Sequence, residues 1–253
     1  VLTAEELKAF LDQKAEQYEH PNFIESDPIQ LPHRFHLKED IEVVAFLIAT
    51  IAWGNRRSII QSGEKMLKIL GESPIDFVMN YSGKSLPFVH RTFNSDDFSS
   101  FILALKHLYS NHGGLEQAFS INDLTLLPDM KSRIIHFRNL FFEAPHLQRT
   151  QKHVSNPAKG ASAKRINMFL RWMVRSNSKG VDFGLWNSIS TSELHLPLDV
   201  HISNNARRLG LLTRKQDDWK ALEELMIELR NFDAVDPVKY DFALFGLGAF
   251  EGF

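Results

Sequence analysis

Residues 197–202 read Pro197-Leu198-Asp199-Val200-His201-Ile202, and the stretch runs on through Asn205, Arg207, Arg208, Leu209 and Gly210. It predicts a helix over 198–209, whose start Asp199 can cap by accepting backbone N–H bonds. Working outward, residues 163–175 place Ile166, Phe169, Leu170 and Met173 on one helical face. Before that helix, residues 145–160 hold two prolines, Asn156 and Gly160, and read as a connecting segment. Beyond the quoted stretch, 219–231 reads as a helix, and Pro237 can open a final one at its first turn.

The rest of the chain has the same character. Thr3 with Glu6 three residues on suggests a capped first helix carrying Leu7, Phe10 and Leu11. Residues 21–36 contain three prolines and read as an extended or irregular crossing. Residues 40–51 are strongly apolar, and their spaced alanines suit a buried helix. Helices are expected over 57–70, stopped by Gly71 and Pro74, over 96–110 and 130–142, with a short one over 115–119. No long alternating strand and no repeat is apparent, so an all-α fold is expected.

Composition bounds the function. The chain has 253 residues, 43% hydrophobic and 24% charged, enough for one large core or two smaller lobes. It contains no cysteine, which excludes disulfides, a thiol nucleophile and thiolate-held metal. The apolar run of residues 43–48 is far short of a membrane span. Glu5 and Glu6 stand where a secretory signal would be basic and then apolar, so a cytoplasmic location is expected. The formal net charge is -2. The distribution is nonetheless uneven, with a basic run over 131–175 and an acidic one over 215–241. The eleven histidines include no His-x-x-x-His pair on a helix beside a glutamate. No metal and no cofactor is therefore assigned.

The 197–210 stretch resembles the Pro-Val-Asp-Thr-His-Val … Arg-Leu-Gly segment of the helix-hairpin-helix DNA glycosylase superfamily. Upstream, Gly160-Ala161-Ser162-Ala163-Lys164-Arg165-Ile166-Asn167 is similar to its hairpin. Residues 47–53, ending at Trp53, resemble the early helix, and 236–246 the closing one. These elements keep the superfamily's order from position 40 onward. Ser162 replaces the second hairpin glycine, and Trp53-Gly54-Asn55-Arg56-Arg57 stands where the family has Gln-Thr. Lys164 and Asp199 lie farther apart than in the common branches. The atypical hairpin and wide spacing bring the chain nearest the archaeal 8-oxoguanine DNA glycosylase branch, as an uncharacterised bacterial family of that superfamily. The resemblance implies a two-lobed fold, with one lobe over 40–140 and a second formed by 1–39 and 141–253.

It also implies a chemistry. Lys164 would attack the anomeric carbon of a flipped nucleotide, and Asp199 would stabilise sugar cation charge and manage protons. Attack requires a free amine, and both the adjacent Arg165 and a helix N-terminus disfavour an ammonium there. Phosphates would be held by Lys159, Gly160, Ala161, Ser162 and Arg165. The extruded base would meet Trp53, Trp172 or Trp186, with Asn55, Arg56, Asn167 and His201 lining the groove. Read without the resemblance, Lys164 could equally be a surface lysine and Asp199 a simple cap. The expected function is a DNA N-glycosylase/AP lyase acting as a monomer on duplex DNA. The alternatives are a nucleic-acid binding protein on the same fold without catalysis, and a protein using the scaffold for another ligand. For the latter, the insert 176–196 would offer a partner face.

Overall fold

Thr3 opens α1 (Ala4–Tyr18) with a reciprocal capping box: its hydroxyl accepts from Glu6 N, and the Glu6 carboxylate accepts from Thr3 N at 2.8 Å. This computed structural model describes residues 2–121 and 129–253. Among the described residues every regular element is helical, with only two isolated β-bridges. The all-α expectation therefore holds. No described helix is long and apolar enough to cross a membrane. The chain divides into a central unit, Ile24–Asn156, and a terminal unit made of Val1–Phe23 with Pro157–Phe253.

The central unit follows a short α2 (Asn22–Ser26). It contains α3 (Lys38–Ile51), α4 (Arg56–Leu70), α5 (Pro74–Asn80), α6 (Ser95–Asn111), α7 (Leu115–Phe119) and α8 (Met130–Phe141). Residues Asp40–Ile51 of α3 are all buried, which is why they are apolar apart from Asp40, Glu42 and Thr50. Phe46 anchors an aromatic cluster with Phe101, Phe137 and Phe141, at ring separations of 5.4 to 5.9 Å. Burying each such ring contributes roughly 1.5–3 kcal/mol.

Two expectations fail here. Residues 21–36 are not extended: Pro28 and Pro32 each open a 3-10 turn, at a position where the missing proline N–H costs nothing. Pro74 likewise starts α5 instead of merely ending α4, and Asp40 Oδ1 accepts from Ile75 N at 2.7 Å. The central unit is also wider than 40–140. Leu31 and Ile29 are fully buried, and their turns pack on α3. At the other end, Arg149, Thr150 and His153 all bond the buried Asp97.

The terminal unit contains α1, α9 (Lys164–Val174), α10 (Val200–Arg208), α11 (Trp219–Phe232) and α12 (Tyr240–Phe250). Helix α12 packs along both α1 and α10. Residues 176–196, expected as a partner-facing insert, instead fold back onto α9. Phe183 N donates to Trp172 O, and both Leu185 N and Trp186 N donate to Met173 O. Val181, Asp182, Trp186, Leu194 and Leu196 are buried in the unit's own core.

A buried ion network ties these pieces together. Arg171 reaches Asp182 and Asp241, while Arg175 reaches Glu19, Asp182 and Asp236. Both guanidiniums also lie over the Phe242 ring, at 4.5 and 5.4 Å. The basic run 131–175 is thus not one surface. Its Arg171 and Arg175 neutralise core carboxylates, and its buried Arg133 donates to Phe119 O.

Candidate active site

Two helix starts meet in the terminal unit. Lys164 is the first residue of α9, and Asp199 is the N-cap of α10. Lys164 Nζ lies 3.2 Å from Asp199 Oδ2, with the two side chains 34% and 23% exposed. Asp199 divides its oxygens between two tasks. Oδ1 accepts from His201 N and Ile202 N, both at 3.0 Å. Oδ2 faces the lysine. Capping and lysine binding are therefore simultaneous at this carboxylate.

The turn before α9 holds the lysine in place. Gly160 has φ 86°, a conformation that favours glycine. Its carbonyl accepts from Trp219 N at 2.9 Å, and Ala161 bridges Asp218. Ala163 is also left-handed, at φ 52° and ψ 38°. The left-handed residues of this turn are thus 160 and 163, while position 162 tolerates serine. Asn167 Nδ2 closes the turn by donating to Ser162 O at 3.0 Å. Left-handed geometry costs a non-glycine residue about 1–2 kcal/mol. Ala163→Gly is accordingly expected to be neutral or stabilising by up to about 1 kcal/mol in thermal melts. An ordinary buried Ala→Gly loss would show that the strain is absent.

Behind the pair lies Asp241, buried on α12 and ion-paired with Arg171. Burial pushes its carboxyl up to about 6; Arg171 opposes this, and the negative charges of Asp199 and Asp182 add to it. One oxygen of Asp241 has no hydrogen-bond partner. Asn205 on α10 donates to Leu244 O at 2.8 Å, pinning α10 against α12. A Cβ at Gly248 would stand 2.7 Å from that same amide, so glycine is needed at this crossing.

The other candidates divide. Lys159 and Gly160 are exposed, and Ser162 is half-buried beside them. Burial pushes the Arg165 guanidinium down to about 10. His201 is exposed and serves through its backbone N–H. Asn167 is 1% exposed, so it braces the turn from inside and does not face a groove. Trp172 and Trp186 are core residues, fully enclosed, and neither presents a ring for base stacking. Trp53, Asn55 and Arg56 belong to the central unit. There Trp53 is half-buried, edge-on to His90 at 5.2 Å and stacked on His153 at 6.0 Å. Asn55 caps α4 through Ser58 N, and Arg56 approaches Asp27 at 3.8 Å.

The residues missed from sequence are Asp241 and its arginine partner. Their separation in the chain leaves no local signal, although an aspartate inside an apolar closing helix was a visible anomaly.

Fold and site together define an all-helical protein with a lysine–aspartate pair at two adjoining helix starts. The chain belongs to the family described as Protein of unknown function (DUF2400), whose model matches residues 27–250. Neither a curated protein nor a solved structure matches the chain.

Proposed function

We propose that the protein is a DNA N-glycosylase with AP-lyase activity, removing an oxidised purine such as 8-oxoguanine through an imine on Lys164. The observation that carries this reading is the 3.2 Å approach of Lys164 Nζ to Asp199 Oδ2. A nucleophile beside a carboxylate already oriented by two backbone N–H groups is the arrangement the reaction needs. The amine attacks C1′ of a flipped nucleotide, and the bond to the base breaks, its electron pair leaving with the base. The proton lost by the amine passes to Asp199 and from there to the departing base. Ring opening then yields a protonated imine, from which the 3′ phosphate can leave by β-elimination. In the turn at 159–162, exposed Lys159 supplies a cation for a phosphate.

Borohydride trapping on duplex DNA carrying 8-oxoguanine or an abasic site tests the reading. Wild type is expected to form a covalent adduct and Lys164→Ala none. Asp199→Asn is expected to slow base release by about 10²–10⁴-fold. An adduct that survives in Lys164→Ala would move the nucleophile elsewhere. Binding to either duplex without any adduct would favour a nucleic-acid binding protein on this scaffold.

A further inference from the structure

Three side chains of the central unit bring their ligating atoms to one point. His107 lies in the last turns of α6, His112 is its C-cap, and Glu143 follows the end of α8. His107 Nε2 stands 2.9 Å and His112 Nε2 3.2 Å from the same oxygen, Glu143 Oε2. The two Nε2 atoms are themselves 3.2 Å apart. We propose that this cluster is a binding site for a divalent transition-metal ion of the zinc class, held by His107, His112 and Glu143.

Geometry is the first argument. Zinc binds imidazole nitrogen and carboxylate oxygen at about 2.0–2.1 Å, which sets neighbouring ligands of a tetrahedron about 3.3–3.4 Å apart. The three separations here fall short of that by only a few tenths of an ångström. An ion would sit just outside the plane of the three atoms, with its fourth position open to solvent. All three side chains are partly exposed, so an ion has access.

Rigidity and charge supply the second argument. His112 N donates to Leu108 O at 2.9 Å, and Glu143 N to Leu140 O at 3.2 Å, so each ligand stands on a fixed helix end. Helices α6 and α8 both present their C-terminal ends at this spot. Those ends carry partial negative charge and favour a cation. Two neutral imidazoles and one carboxylate leave a net charge of about -1 for a dication to offset. Magnesium and calcium, which require more oxygen ligands, do not suit this donor set.

The test is a zinc titration of chelator-stripped protein by calorimetry, with Mg²⁺ as control. Wild type is expected to bind one zinc ion and Mg²⁺ not at all. Affinity should fall at least tenfold in Glu143→Gln and at least a hundredfold in the His107→Ala/His112→Ala double variant. All three side chains are partly exposed, and circular dichroism checks that the variants fold. His136→Ala, a histidine elsewhere in the unit, should bind as wild type. Absence of stoichiometric zinc binding overturns the proposal. So does binding that the double variant leaves unchanged, because the other histidines would then be holding the ion.

Discussion

Replacing Arg175 by methionine is expected to cost the terminal unit about 3–5 kcal/mol, read as a lower urea midpoint with an unchanged slope. Arg175 is 7% exposed in its side chain and serves three carboxylates. It donates to Glu19 Oε2 at 2.8 Å, to Asp236 at 2.9 Å and to Asp182 at 3.2 Å. Those partners hold its guanidinium firmly protonated despite burial. Methionine fills much of the volume but strands Glu19 and leaves Asp182 to Arg171 alone, their side chains being 6% and 0% exposed. Unpaired charge at that depth costs more than the lost bonds themselves. Lysine should recover part of the loss, since it restores the charge without the fork that serves several carboxylates at once. Adding Glu19→Gln to the methionine variant should also recover part. If Arg175→Met costs less than about 1 kcal/mol, the carboxylates are not charged in the fold.

The second large effect belongs to the central unit. Asp97→Ala is expected to destabilise it by about 3–5 kcal/mol. The Asp97 side chain is fully buried and accepts from Thr150 Oγ1 at 2.7 Å, Arg149 Nη1 at 2.7 Å and Asn94 N at 3.1 Å. His153 Nε2 lies 3.2 Å away. Removing the carboxylate breaks the Asp97 half of the Asn94–Asp97 capping box on α6 and takes the acceptor from the buried Thr150 hydroxyl, while Arg149 keeps Asn94 Oδ1 and Thr92 O. Burial alone would raise this carboxyl, but the bonds from Thr150 and Asn94 and the charges of His153 and Arg149 hold it below its ordinary 3.8. A lowered folded value adds stability above pH 3.8, and that share disappears as pH falls through the lower value. Wild type should lose this share in acid, while Asp97→Ala, already without it, shows a flatter acid limb. Equal acid limbs would mean that Asp97 is not the group responsible.

What was legible from sequence follows physical range. The Thr3–Glu6 box and the apolar α3 depend on neighbours within a turn or two, and both were readable. The prolines at 28, 32 and 74 misled because the same residue ends one helix and opens the next. Trp172 and Trp186 looked available for stacking since a ring's burial depends on segments far away, here the folded-back stretch 181–196. The basic run misled similarly, because the carboxylates that neutralise Arg171 and Arg175 include Glu19 and Asp241, distant in the chain. Lys164 and Asp199 were singled out by resemblance, and no local pattern pairs them. His107 and His112 escaped because a helical His-x-x-x-His search assumes unbroken helix. Their spacing is one residue longer and succeeds only because His112 leaves the helix at φ -128°.

The division of the terminal unit into two stretches of chain also sets an order of assembly. Helix α1 is made before the central unit, yet its packing partner α12 is made only after it. Asp12 and Tyr240, bonded at 2.9 Å, are 228 residues apart. The central unit's own segments are all synthesised by residue 156 and can collapse while α1 still waits with Leu7, Leu11 and Ala15 uncovered. Closing so long a loop makes docking of α1 a late, non-local step. During synthesis, that apolar stripe stays without its cover until α12 is made.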